Sequence, residues 1–141
     1  PYGRPMTPIT IPARFRGPPH SGNGGYVAGL MARLAGGHRA VAMRAPAPLD
    51  TALTFDGSGE TARLTHGETL IAEAAPADAA ELPVPPAPPT LDQVLAASEG
   101  YQSFHPICVC CADQLPPEEG LRVRAGQVEG APAGTVAAVW D

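Results

Sequence analysis

The four residues Asn23-Gly24-Gly25-Tyr26 are the best placed in this chain to act on a substrate. Asn23 is a good N-cap, and the apolar residues behind it, Val27, Leu30, Met31 and Leu34, recur at helical spacing. The tetrapeptide therefore opens a helix. The first N–H groups of a helix lack intrahelical partners, and the helix dipole adds partial positive charge there. Glycine removes side chains that would block an approaching ligand. Such a terminus can hold a carbonyl oxygen and stabilise the negative charge that develops when water attacks the carbonyl carbon. On this reading Asn23, Gly25 and Tyr26 are the catalytic candidates, and His20, Gly24 and Val27 contact the substrate. The alternative is purely architectural: the glycines between Gly17 and Gly25 turn the chain through a tight corner.

Other reactive residue types give weaker patterns. His20 and Ser21 are adjacent, a spacing that rarely allows proton transfer between side chains, and no third member of a triad is identifiable. His38 and His66 fall at turns and are expected to be solvated. Asp50, Asp56, Glu60, Glu68 and Glu73 are carboxylates without a partner pattern. Glu73 stands out because its strand is mostly apolar, although strand alternation can turn it to solvent. His105, Cys108, Cys110 and Cys111 follow the spacing H-x-x-C-x-C-C. Zinc sites usually draw ligand pairs from two separated segments, and there is no second pair, so loop cysteines without a metal are expected. GNGGYVAG fails as a dinucleotide fingerprint because the third glycine position holds Val27. No cofactor is expected.

Composition narrows the function classes. A net charge of −5 argues against nucleic acid or an anionic membrane as partner. No apolar run approaches the roughly 20 residues of a membrane span, and PYGRPMTPIT lacks the features of a secretory signal. Three cysteines crowded into 108–111 do not make a disulfide framework, which points to a reducing cytoplasm. All nine basic residues are arginine.

The elements that must position these residues can be read in order. Segment 8–16 reads as a strand, with Pro12 suggesting an edge position. The helix covers about 23–35 and stops at Gly36-Gly37. Gly25, Ala28, Gly29, Ala32 and Ala35 form a small-residue face that predicts close enclosure. Four strand-like runs follow at 39–49, 51–57, 60–67 and 68–76, joined by short turns such as Asp56-Gly57-Ser58-Gly59. Residues 77–90 contain five prolines and read as an extended linker. A helix over 91–100, the cysteine loop, and strand-like pieces at 120–126 and 134–141 complete the chain. Two short strands are marginal alone, so the last two pieces are expected to add to the first sheet, within the chain or across a dimer.

Strand, helix, then a four-strand meander suits an α+β hotdog fold, an antiparallel sheet wrapped around one central helix. FRGPP (15–19), NGGYVAGL (23–30), AVAMRAPAPL (40–49) and HGETLIAEA (66–74) resemble the first half of thioesterase-like proteins of the double-hotdog type. FHPICVCC (104–111), GLRVRAG (120–126) and VAAVWD (136–141) resemble the start of their second half. The resemblance implies a hotdog domain over 1–76, the linker 77–90, and an incomplete second hotdog over 91–141. It implies an acyl-CoA or other acyl thioester as ligand, held at the amides of Gly24, Gly25 and Tyr26, and a homodimer or larger oligomer. Single-domain hotdog thioesterases often place a carboxylate in the central helix; here that position is Ala32. The alternatives are a non-catalytic acyl-thioester-binding or structural half-domain, and less readily a hydratase or dehydratase, which needs a His–acid pair. Because the family's complete second hotdog is not contained in these residues, hydrolysis is expected to be weak or nil.

Overall fold

The computed structural model describes residues 4–17, 20–81, 84 and 86–140. The chain divides into two compact units, Pro1–Pro83 and Val84–Asp141.

The first unit is α+β. Its five strands are β1 (Arg4–Thr10), β2 (Arg39–Met43), β3 (Ala52–Gly57), β4 (Ala62–His66) and β5 (Thr69–Pro76), and its helix α1 spans Gly24–Ala35. All pairings are antiparallel, in the order β1-β3-β4-β5-β2. Strands β3 to β5 form a meander. Strand β2, however, closes the far edge beside β5 and does not lie next to β3. The prolines at 46 and 48 end β2 well short of residue 49, and the chain then crosses to the other side of the sheet.

The first strand also begins and ends earlier than 8–16. Pro12 and the single 3-10 turn Ala13–Phe15 break the extended chain, with the Phe15 amide donating to the Pro12 carbonyl at 2.9 Å. An edge strand is indeed where proline is tolerated, but the proline paired in the ladder is Pro8, opposite Thr54.

One face of the sheet and one stripe of α1 form the core. Leu53 and Phe55 of β3, Ala62 and Leu64 of β4, and Ile71, Ala72 and Ala74 of β5 cluster with Ile11, Val27, Met31 and Ala47. Strict alternation would bury only every second residue. The adjacent pair Ile71 and Ala72 is buried because a register shift in the β4–β5 ladder falls there. Helix α1 lies against β2, β5 and β4. Gly25, Gly29 and Arg33 are exposed while Ala28, Ala32 and Ala35 are half-buried, so within this unit the small-residue face is only partly covered.

Both ends of α1 are well terminated. The Asn23 side chain accepts the Tyr26 amide at 3.1 Å. At the other end Gly36 and Gly37 take φ of 74° and 71°. Arg39 then donates from Nε to the Gly36 carbonyl at 2.8 Å and from Nη2 to Ala35 at 3.3 Å, placing a cation on the negative end of the dipole.

The second unit pairs β6 (Arg124–Gln127) with β7 (Val136–Val139) and packs α2 (Leu91–Ser98) against both. The two terminal strands therefore pair with each other in their own two-stranded sheet and do not extend the first. The α2 start carries a capping box, Thr90 with Gln93. Before it, the proline-rich stretch contains a 3-10 turn at Ala79–Glu81; residues 82, 83 and 85 lie outside those described.

Helix α2 meets β6 so closely that a Cβ at Gly126 would collide with the Ala97 carbonyl. Gly126→Ala is therefore expected to loosen α2 from the hairpin and to speed amide hydrogen exchange in 91–139 while leaving α1 and β1–β5 protected. Met31 is fully buried in the other unit. Met31→Ala should cost about 2–5 kcal/mol by urea denaturation.

Candidate functional site

The glycine-rich approach to α1 serves two different purposes. Gly17 and Gly22 are buried. A Cβ at Gly22 would press within 3.0 Å of Ile11 and 3.1 Å of Val27, and one at Gly17 within 3.0 Å of the Asn23 backbone. These two glycines are architectural. They let the 15–23 loop fold onto itself, with the Asn23 amide donating to the Phe15 carbonyl at 2.8 Å and the Gly17 amide to Ser21 at 3.0 Å. The Gly22 amide donates across to Ala47 at 2.8 Å, tying the loop to the crossover after β2. Residues 18 and 19 lie outside those described.

Gly24 and Gly25 are exposed, and nothing lies within 4 Å of a Cβ built at Gly24. At Gly25 the Asn23 side-chain oxygen would be 3.3 Å away. These two residues present an exposed first turn, open at Gly24, whose amides the helix itself cannot satisfy.

The other expected site residues fall out differently. The Tyr26 amide is already bonded to the Asn23 side chain, and the Val27 amide donates to the Asn23 carbonyl at 2.9 Å. Val27 is wholly buried in the core, so its side chain faces the sheet and cannot touch a ligand at the helix start. Asn23 is half-buried and acts as the cap. The Tyr26 ring stacks on Phe15, with centroids 3.9 Å apart, and the Arg14 guanidinium lies 4.8 Å from the Phe15 ring centroid. His20 is exposed.

No carboxylate completes the site as a base among the described residues. Asp50 accepts the Ala13 amide at 2.9 Å, from a left-handed backbone with φ of 48°. The Glu73 carboxylate is engaged by Arg44 at 3.2 Å and Arg63 at 3.6 Å. Cross-strand register puts Asp56 opposite Arg63 and Arg63 opposite Glu73, so the outer face of the sheet is a row of alternating charge. Hydrogen bonds from the Ser58 hydroxyl and amide hold the Asp56 carboxyl below its ordinary range, with Arg63 adding to the effect. His38 and His66 are exposed, and among the described residues no histidine is ion-paired to a carboxylate.

The cysteine segment is a scaffold. Its carbonyls at Val109 and Cys110 accept the amides of Leu121 and Val123, each at 2.8 Å, and the Cys111 carbonyl accepts the Tyr101 hydroxyl at 2.9 Å. Cys108 is buried, and burial raises the Cys110 and Cys111 thiols above their ordinary range, with neighbouring cysteines adding to it. Raised thiols are poor nucleophiles. His105 is exposed, and the four potential ligands do not gather into a metal-holding group among the described residues.

A cavity of about 200 Å³ adjoins this scaffold, lined by Tyr101, Cys111, Ala112, Asp113, Arg122 and Arg124. Its sequence signal is the pair Arg122 and Arg124, two like charges two residues apart where the chain enters β6. None of the described helices is long and apolar enough to cross a membrane. No protein-family model, curated protein or solved structure matches the chain.

Burial, reinforced by the surrounding cysteines, pushes the Tyr101 phenol up to about 12 from its ordinary 10.0. The neutral phenol is the form that donates to Cys111. Its contribution to stability is therefore complete below pH 10.0 and is lost as pH rises through about 12. An ultraviolet phenolate titration should show one tyrosine ionising with a midpoint near 12, absent in Tyr101→Phe.

Proposed function

We propose that the chain is a thioesterase-like protein of the hotdog type that binds an acyl thioester, such as acyl-CoA, at the first turn of α1. The observation that carries this reading is the pair of exposed glycines at 24 and 25, with open space at the Gly24 Cβ position, at the positive end of the α1 dipole. A thioester carbonyl placed there accepts hydrogen bonds from backbone donors that need no reorganisation. The order strand, helix, four strands in an antiparallel sheet agrees with the hotdog reading, as does the NGGY segment itself. The Gly24 and Gly25 amides serve the carbonyl, while Tyr26 and Phe15 supply an apolar wall beside it.

Binding without efficient turnover is the form of this function that the side chains favour. Ala32 stands where a helix carboxylate would act, Glu73 is held by two arginines, and Asp50 is spent on the Ala13 amide. A second copy of the chain, meeting this one at an open sheet edge or along the Gly25–Gly29 face, is the proposed source of any missing group.

The experiment is calorimetric titration with acyl-CoAs of several chain lengths, with free thiol measured in parallel. We expect saturable binding of at least one acyl-CoA with little thiol release. Gly24→Val, which hangs a branched side chain over the first turn, should weaken binding by about tenfold or more, the cost of a hydrogen bond or two to the thioester carbonyl, while helix content is unchanged. Absence of binding at every chain length refutes the reading. Brisk thiol release places a base within residues 1–141 and refutes the non-catalytic form.

A further inference from the structure

The cysteine segment carries a thiol pair that its scaffold role leaves unused. Cys108 and Cys111 stand at the spacing C-x-x-C. The Ala112 amide donates to the Cys108 carbonyl at 3.0 Å and closes a single helical turn over them. Side chains three residues apart on such a turn share a face, with Cβ atoms about 5–6 Å apart. The thiols meet there. Cys111 is hydrogen-bonded to the Cys108 side chain, whereas Cys108 acts on Cys110 only through its charge.

The two thiols differ in access. Cys108 is 4% exposed, while Cys111 is half-buried and lines the cavity of about 200 Å³. A small reagent therefore meets Cys111 first and reaches Cys108 only through it. The turn is also the hub of its unit: its carbonyls at Val109, Cys110 and Cys111 hold Leu121, Val123 and the Tyr101 hydroxyl. Among the described residues of this unit the buried hydrophobic side chains are Cys108, Ala112 and Val128. Small units with little core are where a covalent staple adds most.

We propose that Cys108 and Cys111 form a redox modification site, oxidised to an intramolecular disulfide by a low-molecular-weight disulfide. The Cys111 thiolate attacks one sulfur of the reagent, whose sulfur–sulfur bond breaks, and the departing thiolate takes up a proton. The Cys108 thiolate then attacks the Cys111 sulfur of the mixed disulfide and expels the second thiol. The pair gives up two electrons and two protons, and the reagent is reduced to two thiols. Closure brings the Cβ atoms to about 3.5–4.5 Å, a contraction of about 1–2 Å within the turn. Burial that raises the Cys111 thiol slows the first attack and also makes this sulfur a poor leaving group once joined. The disulfide is thus slow to form and slow to be reduced. The site lies wholly within the 84–141 unit and does not rest on the function proposed for α1.

The test exposes the full chain, first reduced, to excess hydroxyethyl disulfide under native conditions, with intact mass and peptide fragmentation as readouts. One internal disulfide between Cys108 and Cys111 is expected, leaving Cys110 as the cysteine that carries an adduct or still accepts an alkylating label. Cys110→Ser should close the same disulfide. Cys111→Ser and Cys108→Ala should form no internal link and carry adducts instead; should Cys108→Ala lose its folded amide spectrum, Cys111→Ser decides. In the oxidised chain, amide hydrogen exchange at Leu121 and Val123 should slow by about tenfold or more, and dithiothreitol should restore the original rate. The proposal is overturned by adducts without an internal link, by a link that uses Cys110, by thiols that all survive the exposure, or by exchange at Leu121 and Val123 that oxidation leaves unchanged.

Discussion

Burial of the Val27–Met31 stripe of α1 against the sheet is the contact on which the first unit depends. Both side chains are fully buried with Leu53, Phe55, Leu64 and Ile71, and removing this apolar surface from water is the dominant favourable term in such a small fold. The loop leading into the helix is shaped by it. Gly22 has to be glycine because Ile11 and Val27 close over it, and the chain can reach the helix start only by the tight return between Phe15 and Asn23. The exposed first turn at Gly24 and Gly25 is a consequence of that seating: once Val27 is in the core, residues on the opposite side of the turn must face out.

The second unit is held by different means. Among the described residues its buried hydrophobic side chains are Cys108, Ala112 and Val128, all small or medium in size, and they cannot supply a comparable core. Directional bonds take over. The cysteine segment offers its carbonyls to Leu121, Val123 and the Tyr101 hydroxyl, while the Ser98 hydroxyl lies within 2.9 Å of the Val94 carbonyl and 2.8 Å of the Arg124 carbonyl. Close approach of backbones, permitted by Gly126, replaces side-chain interdigitation between α2 and the hairpin. Leu91, Phe104, Val136 and Trp140 remain exposed in this unit, so apolar residues in its sequence are an unreliable guide to its interior.

Charge is arranged locally in both units. On the outer face of the sheet, Arg44 and Arg63 share the Glu73 carboxylate in solvent, an arrangement worth little to stability at such exposure but sufficient to occupy the carboxylate. In the second unit, Arg122 and Arg124 both line one cavity together with Asp113. The first arrangement occupies the Glu73 carboxylate and so removes it as a base.

What was legible in the sequence was everything set within a turn or two of chain. Asn23 as cap, the Val27–Leu34 periodicity and the double glycine after Ala35 bound a helix within one residue of 24–35, because capping and helical spacing are local. The α+β class and an antiparallel five-strand sheet follow in the same way from alternation and short turns. Strand order did not, because pairing is a contest between distant segments: β2 beside β5, and the two terminal strands beside each other, are outcomes of which apolar faces could be covered together. The site divides along the same line. That glycines open the helix is plain from residues 22–25. That Gly22 is compressed and Gly24 open, that Val27 turns inward, that Glu73 is claimed by two arginines, and that Arg122 and Arg124 share one cavity depend on neighbours remote in sequence. Tertiary packing alone assigns those neighbours.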